Sequence, residues 1–153
     1  MDDLNKIVIC AAEIDDIDSI AKMESECFTD AWSWDSFHSC FVSPFYEIVV
    51  ARIGEAIVGY GVVKSMYEDA ELVRIAVSSF YRRLDIGYKM LDWLINEVRN
   101  NGAKKVFLDV RKSNEAAISL YEKMGFLPYE ITEDFYNNPV EASVKMDLEI
   151  KGR

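Results

Sequence analysis

Residues 70–94 read AELVRIAVSSFYRRLDIGYKMLDWL. An apolar strand, Ala70 to Val77, runs into a short loop bearing Arg82 and Arg83, and the loop opens into an amphipathic helix at Ile86 and Gly87. The first turn of a helix carries backbone N–H groups without intrahelical partners, at the positive end of the dipole. Such a junction is an anion site. Two arginines beside it favour a phosphate or pyrophosphate over a carboxylate. The unit points to a phosphorylated cofactor held at the end of a sheet strand.

Working outward, Lys6 to Ala12 reads as a strand, and Asp15 and Asp16 can cap a helix carrying Ile17, Ile20, Ala21 and Phe28 on one side. A second helix runs from Ser33 to Val42 and stops before Pro44. Tyr46 to Ile53 and Ala56 to Lys64 are strands joined by a Gly54-Glu55 hairpin signal. The central helix, Ile86 to Asn101, buries Met90, Leu91, Leu94 and Val98 and ends at Gly102. Lys105 to Arg111 is a strand carrying Asp109. Ser113 or Asn114 caps a helix whose inner face is Ala117, Leu120, Tyr121 and Met124, with Gly125 as its stop. Leu127 to Glu133 and Glu141 to Ile150 are the last strands. This order predicts an α/β (α+β) fold, a mixed sheet of about seven strands with helices on both faces.

The chain has 153 residues, half of them hydrophobic and 12% aromatic, which suits one packed domain over 1–153. A net charge of −10 argues against nucleic acid as a partner and suits a cationic acceptor, an amine or a basic peptide. Cys10, Cys27 and Cys40 show no CxxC spacing, so neither a disulfide framework nor a metal site is expected; they read as reduced thiols packed in a cytoplasmic core. No signal peptide or membrane-spanning run is visible. A monomer or a homodimer fits equally.

Two blocks resemble the GNAT superfamily of N-acetyltransferases, which use acetyl-coenzyme A. One is Arg82-Arg83-Leu84-Asp85-Ile86-Gly87, similar to the family's Arg/Gln-x-x-Gly-x-Gly/Ala; the other is FLDVRKSNEAAISLYEKMGF, Phe107 to Phe126. CFTDAWSWDSF, LVRIAV and EDFYNN resemble the bacterial branch that acetylates the N-terminal alanine of a ribosomal protein. The resemblance implies a mostly antiparallel sheet and an acetyl-CoA-dependent N-acetyltransferase. It also implies that Ile75, Ala76 and Val77 offer backbone groups to the pantetheine arm and that Arg83 to Tyr88 wrap the pyrophosphate. Asn114 would bond the pantetheine near the thioester, Asp109 would be the base, and Tyr121 would protonate the leaving thiolate. Two positions depart from the pattern: the family glycine at 85 is Asp85, and the family glutamate at 109 is Asp109.

Acetyl transfer to an amine requires a neutral amine, donors for the developing oxyanion and a proton for the thiolate. Backbone N–H groups after Val73, where the strand splays, could serve the oxyanion. An N-terminal amine, with a reference pKa of roughly 7.7–8.0 against about 10.4 for lysine, is partly neutral near neutrality. A phenol near 10 is matched to a thiolate leaving group, although Tyr121 also lies on the apolar stripe of its helix. Asp109 sits in an apolar strand, where a carboxylate is costly unless paired or functional, and Arg111 is its nearest candidate partner. Glu71 is a rival base that shares a strand face with Val73, Ile75 and Val77. Trp32 and Tyr136 are candidates for the acceptor cleft. Acetylation of a small cationic amine, or a degenerate domain that binds the cofactor without turnover, are the alternatives to a protein N-terminus.

Overall fold

The computed structural model describes residues 6–82 and 84–150. Seven strands, β1 (Ile7–Ala11), β2 (Tyr46–Ile53), β3 (Ala56–Met66), β4 (Asp69–Val77), β5 (Lys105–Arg111), β6 (Leu127–Tyr136) and β7 (Glu141–Glu149), form one sheet in the order β1-β2-β3-β4-β5-β7-β6. Every pairing is antiparallel except β4 with β5. The helices are α1 (Ile17–Cys27), α2 (Trp34–Val42), α3 (Ile86–Asn100) and α4 (Glu115–Met124). Among the described residues no helix is long and apolar enough to cross a membrane.

Local chemistry sets the helix ends. Ser33 accepts from the N–H of Ser36 to start α2, and Asn114 accepts from the N–H of Ala117 to start α4. Gly125 ends α4 in the left-handed region, where its N–H reaches the carbonyls of Tyr121 and Glu122. The expected cap of α1 differs. A short 3-10 turn, Ile14–Asp16, precedes the helix, and the Asp16 carboxylate accepts from the N–H of Glu13 and pairs with Arg52 of β2. That side chain ties the turn to the sheet instead of capping α1.

The sheet is covered on two sides. Met90, Leu91, Leu94, Ile95 and Val98 of α3 and Tyr121 of α4 pack with Val49, Leu72, Val106, Leu108 and Val110 on one face. Ile17 and Ile20 of α1 and Phe37 of α2 pack with Ile48, Val50, Tyr60 and Val62 on the other. The α3 layer lies so close to β3 that a Cβ on Gly59 would stand 2.9 Å from Met90 Cε. The thiols are less uniform than expected: Cys40 is buried, but Cys10 is half-buried and Cys27 is exposed.

Two irregularities in β4 open a cleft in the sheet. Its pairing with β5 covers only Asp69↔Lys105, Ala70↔Val106 and Glu71↔Phe107, after which the strands diverge. Its pairing with β3 shifts register between Val62 and Val63, so that Val62 faces Arg74, Val63 faces Leu72, and Val73 is left over as a bulge.

Candidate active site

The diverging strands enclose a cleft of about 670 Å3, lined along one wall by Glu71 to Val77 and along the other by Asp109 to Arg111. This is an ordinary size for a small-molecule site. Past Glu71 the β5 side of β4 is an open sheet edge. Ser78 donates its N–H to Val58 of β3, and Tyr60 faces Ala76 in the same register. Alternation in an antiparallel pair therefore gives the amide groups of Ala76 to β3 and turns those of Ile75 and Val77 into the cleft. Of the three backbone positions expected to hold the pantetheine arm, two are available and Ala76 is not. An extended amide-bearing chain can add to such an edge as a strand would.

The bulge also divides the strand's faces. Ala70 and Leu72 belong to the α3 side, Glu71 and Val73 to the α1 side; beyond the bulge Ile75 and Val77 pack on the α3 side, and Ala76 and Arg74 turn toward α1. Glu71 thus shares its face with Val73, Arg74 and Ala76, not with Ile75 and Val77 as strict alternation predicts. Its carboxylate lines the cleft with no hydrogen-bond or ionic partner among the described residues. Asp109 shares that face from β5, opposite to Leu108 and Val110. Its partner is not Arg111. The Lys145 ammonium and the Ser143 hydroxyl, both on β7, each lie 2.7 Å from its Oδ1.

At the other end of the cleft, α3 begins at Ile86 behind Asp85, which holds a left-handed conformation at φ 57°. The aspartate occupies the backbone state for which glycine is ordinarily used. Its carboxylate makes no capping bond and lies 3.4 Å from Lys123. The N–H groups at the start of α3 are therefore not taken up by it. Arg82 and Gly87 line the cleft here. Gly87 also allows α3 to approach α4, since a Cβ there would meet Leu120 Cδ2 at 3.2 Å. Ile86 is buried and the half-buried Leu84 packs against the same core. Arg83 lies outside the described residues. Tyr88 meets Lys123, whose ammonium is 4.9 Å from the ring centroid. Asn114 lines the cleft with its carbonyl engaged in the α4 cap, which leaves its NH2 as the group able to donate to a ligand.

Tyr121 is buried in the core yet lines the cleft together with Asn114 and Tyr136. Burial, with the nearby Tyr136 oxygen adding to it, raises its phenol above the ordinary range. The hydroxyl stays protonated at neutral pH and makes no hydrogen bond among the described residues. Burial also pushes Tyr136 up to about 12, with the Asp109 carboxylate contributing.

Trp32 does not line the cleft. Its ring packs on Phe37, and its backbone N–H donates to Glu24, a carboxylate that is fully buried and bound by Arg74 at 2.8 Å and by the Tyr60 hydroxyl. Arg74 is a site residue that sequence reasoning passes over, and Arg111 one that it reads only as a partner for Asp109. Arg74, from β4, stacks on Phe28 and Trp32 and donates to the Asp30 carbonyl at 2.9 Å, which holds the α1–α2 loop. Arg111, from β5, stacks on Tyr136 at 4.5 Å and donates to the carbonyls of Asn137 and Pro139, which holds the β6–β7 loop. Asn138 joins the loops: its carbonyl accepts from Thr29 at 2.9 Å and its NH2 donates to Asp30 at 3.2 Å. A closed ring of side chains and loops thus crosses the cleft on its α1 side.

The model of the acetyltransferase (GNAT) family matches residues 14–126. The chain belongs to this family. The [ribosomal protein bS18]-alanine N-acetyltransferase of Escherichia coli K12 is 29% identical over 128 residues, 84% of this chain and 86% of that protein. The crystal structure of the Escherichia coli ribosomal-protein-S18-alanine N-acetyltransferase superposes with a TM-score of 0.87 at 28% identity, over 96% of both chains. The NatC complex bound to Gag peptide and CoA shares the fold, with a TM-score of 0.85 at 21% identity over 95% of this chain and 99% of that one. The protein is an acetyl-CoA-dependent N-acetyltransferase, and the mixed, mostly antiparallel seven-stranded sheet is the family's. The residues present fit the cofactor: an open strand edge for its amide arm, a helix N-terminus and Arg82 for its pyrophosphate, and a free side-chain amide at Asn114.

Proposed function

We propose that the protein acetylates the N-terminal α-amine of a polypeptide, which enters beneath the ring formed by Arg74, Asp30, Asn138 and Arg111. The ring carries this reading. A groove open along its length admits a chain lying across it, whereas a closed ring favours a free chain end. The Escherichia coli relative acts on an N-terminal alanine of ribosomal protein bS18, and NatC has been seen with a peptide and CoA. Both support the reading, as does the net charge of −10, which suits a basic peptide.

In this mechanism bound acetyl-CoA supplies an activated thioester. The cleft-facing N–H of Ile75, the first past the bulge at Val73, stands to donate to the thioester oxygen. Val77 and Asn114 hold the amide arm; Arg82 and the N–H groups of α3, from Ile86 to Tyr88, hold the pyrophosphate. Asp109 and Glu71 present carboxylates on the acceptor side and remove the amine proton, directly or through water. Tyr121, protonated and buried, gives its proton to the departing thiolate. Tyr136 lines the acceptor path. An α-amine is already partly neutral at physiological pH, so little basicity is demanded of the carboxylates.

The test compares peptides with free and pre-blocked N-termini, each carrying an internal lysine, with spermidine as a third acceptor. Mass spectrometry should find label on the free N-terminus alone. Equal labelling of both peptides would make lysine the acceptor, and labelling of spermidine alone would make the protein a small-amine acetyltransferase.

A further inference from the structure

We propose that Lys145 is a positioning residue of the acetyl transfer and acts through Asp109. This rests on the reading above, in which Asp109 faces the acceptor amine. Lys145 stands directly opposite Asp109 in the β5–β7 register, where Cβ atoms of an antiparallel pair lie within about 5.5 Å of each other. Asp109, Phe135 and Tyr136 line the cleft; Lys145 and Ser143 are not among the lining residues and stand behind them. Ser143 is fully buried. Its hydroxyl and the Lys145 ammonium converge on one oxygen, Oδ1, each at 2.7 Å. The other oxygen, Oδ2, accepts nothing among the described residues. The Lys145 ammonium also lies over the Phe135 ring, 4.5 Å from its centroid.

The consequence is geometric. The terminal torsion of an aspartate is broad and two-fold, so a carboxylate on a half-buried strand would otherwise rotate freely between donors. A charge-assisted bond and a hydroxyl bond to the same oxygen fix that torsion and leave Oδ2 as the single acceptor able to face an amine N–H. The short stem at this position keeps the carboxylate close to the strand, beside donors that also lie on a strand. The family's glutamate, one methylene longer, would carry its carboxylate away from them. The departure at 109 and the lysine at 145 therefore form one unit: the side chain that reaches less far is the one that Lys145 can hold.

The experiment uses the full chain with acetyl-CoA and a peptide bearing a free N-terminal alanine. Lys145→Met should lower kcat about tenfold while leaving the KM for acetyl-CoA unchanged. Lys145→Arg, which keeps a charged donor, should recover most of the rate. In the double-mutant cycle, D109N/K145M should be no slower than D109N alone, because Lys145 has no route to the substrate except through Asp109. Wild-type kcat in K145M, or losses that multiply in the double variant, would overturn the proposal. Thermal midpoints establish that each variant is folded, and Lys145→Gln replaces the methionine variant if that one is not. A wild-type protein that labels no amine would overturn both this inference and the functional reading; labelling by wild type with K145M unchanged overturns this one alone.

Discussion

Tyr121 hangs from α4 with its ring in the core and its hydroxyl at the cleft, the placement a proton donor needs. Because burial raises its phenol, it keeps its proton at neutral pH and through the range where an α-amine first becomes neutral. Tyr121→Phe retains the ring and its packing on Phe126. It should cost about 10²–10⁴-fold in kcat with little change in melting temperature; wild-type turnover would reduce Tyr121 to a packing residue. Asp85 is the complementary case, a side chain that departs from the family pattern at small cost. At ~6 Å a carboxylate repels one phosphate charge by about 0.7–2.8 kcal/mol as the effective dielectric falls from 80 to 20. The observed carboxylate is exposed and paired with Lys123, which puts the penalty at the low end. Asp85→Gly should tighten acetyl-CoA by no more than about threefold at low salt, an effect that fades as salt rises. Weaker binding, measured by calorimetry, would make the aspartate a constructive part of the loop.

At the scale of elements, most of what is regular is legible in the sequence and most of what is irregular is not. Apolar spacing and caps locate α3 and α4 within a residue, because Ser, Asn and Gly act locally. The bulge at Val73 has no local signature, and one extra residue reverses the face of everything after it. This is why strict alternation places Glu71 with Ile75 and Val77, and why it overlooks Arg74 as a residue of the α1 side. Trp32 is misplaced for a related reason: its fate depends on Arg74 and Glu24, separated by 50 positions along the chain, and no local pattern encodes that meeting. The same pair gives the element-scale prediction. Glu24 is buried with its charge matched by Arg74. Arg74→Met would strand that charge and should destabilise the protein by about 3 kcal/mol or more in urea titration. A loss below about 1 kcal/mol would mean that the Tyr60 hydroxyl and the Trp32 N–H suffice.

For the molecule as a whole, the short parallel pairing between β4 and β5 has a mechanical meaning. The sheet consists of two plates, β1 to β4 and β5-β7-β6, sewn together at one end, by the pairing at Asp69 to Glu71 and by the N–H groups of Lys104 and Lys105 donating to the Glu68 carbonyl beside it. On the α3 side a continuous core spans the seam, with Val49 and Leu72 on one plate, Leu108, Val110 and Met146 on the other, and Met90 of α3 packed with them. On the α1 side, beyond the stitches, the described plates are linked by polar loop contacts instead, through Asn138 and the two arginines. Such a body is packed along one face of its seam and joined by loops along the other. A ligand whose amides take up Ile75 and Val77 would fill the seam, so a substrate would serve as a structural brace. Hydrogen exchange at those two amides, and collectively along β5, should slow when CoA is added. If only the contacted amides slow, the plates are already rigid without it. If the whole of β5 slows, each turnover begins with the protein stiffening around its cofactor and ends with the seam working loose as the product leaves.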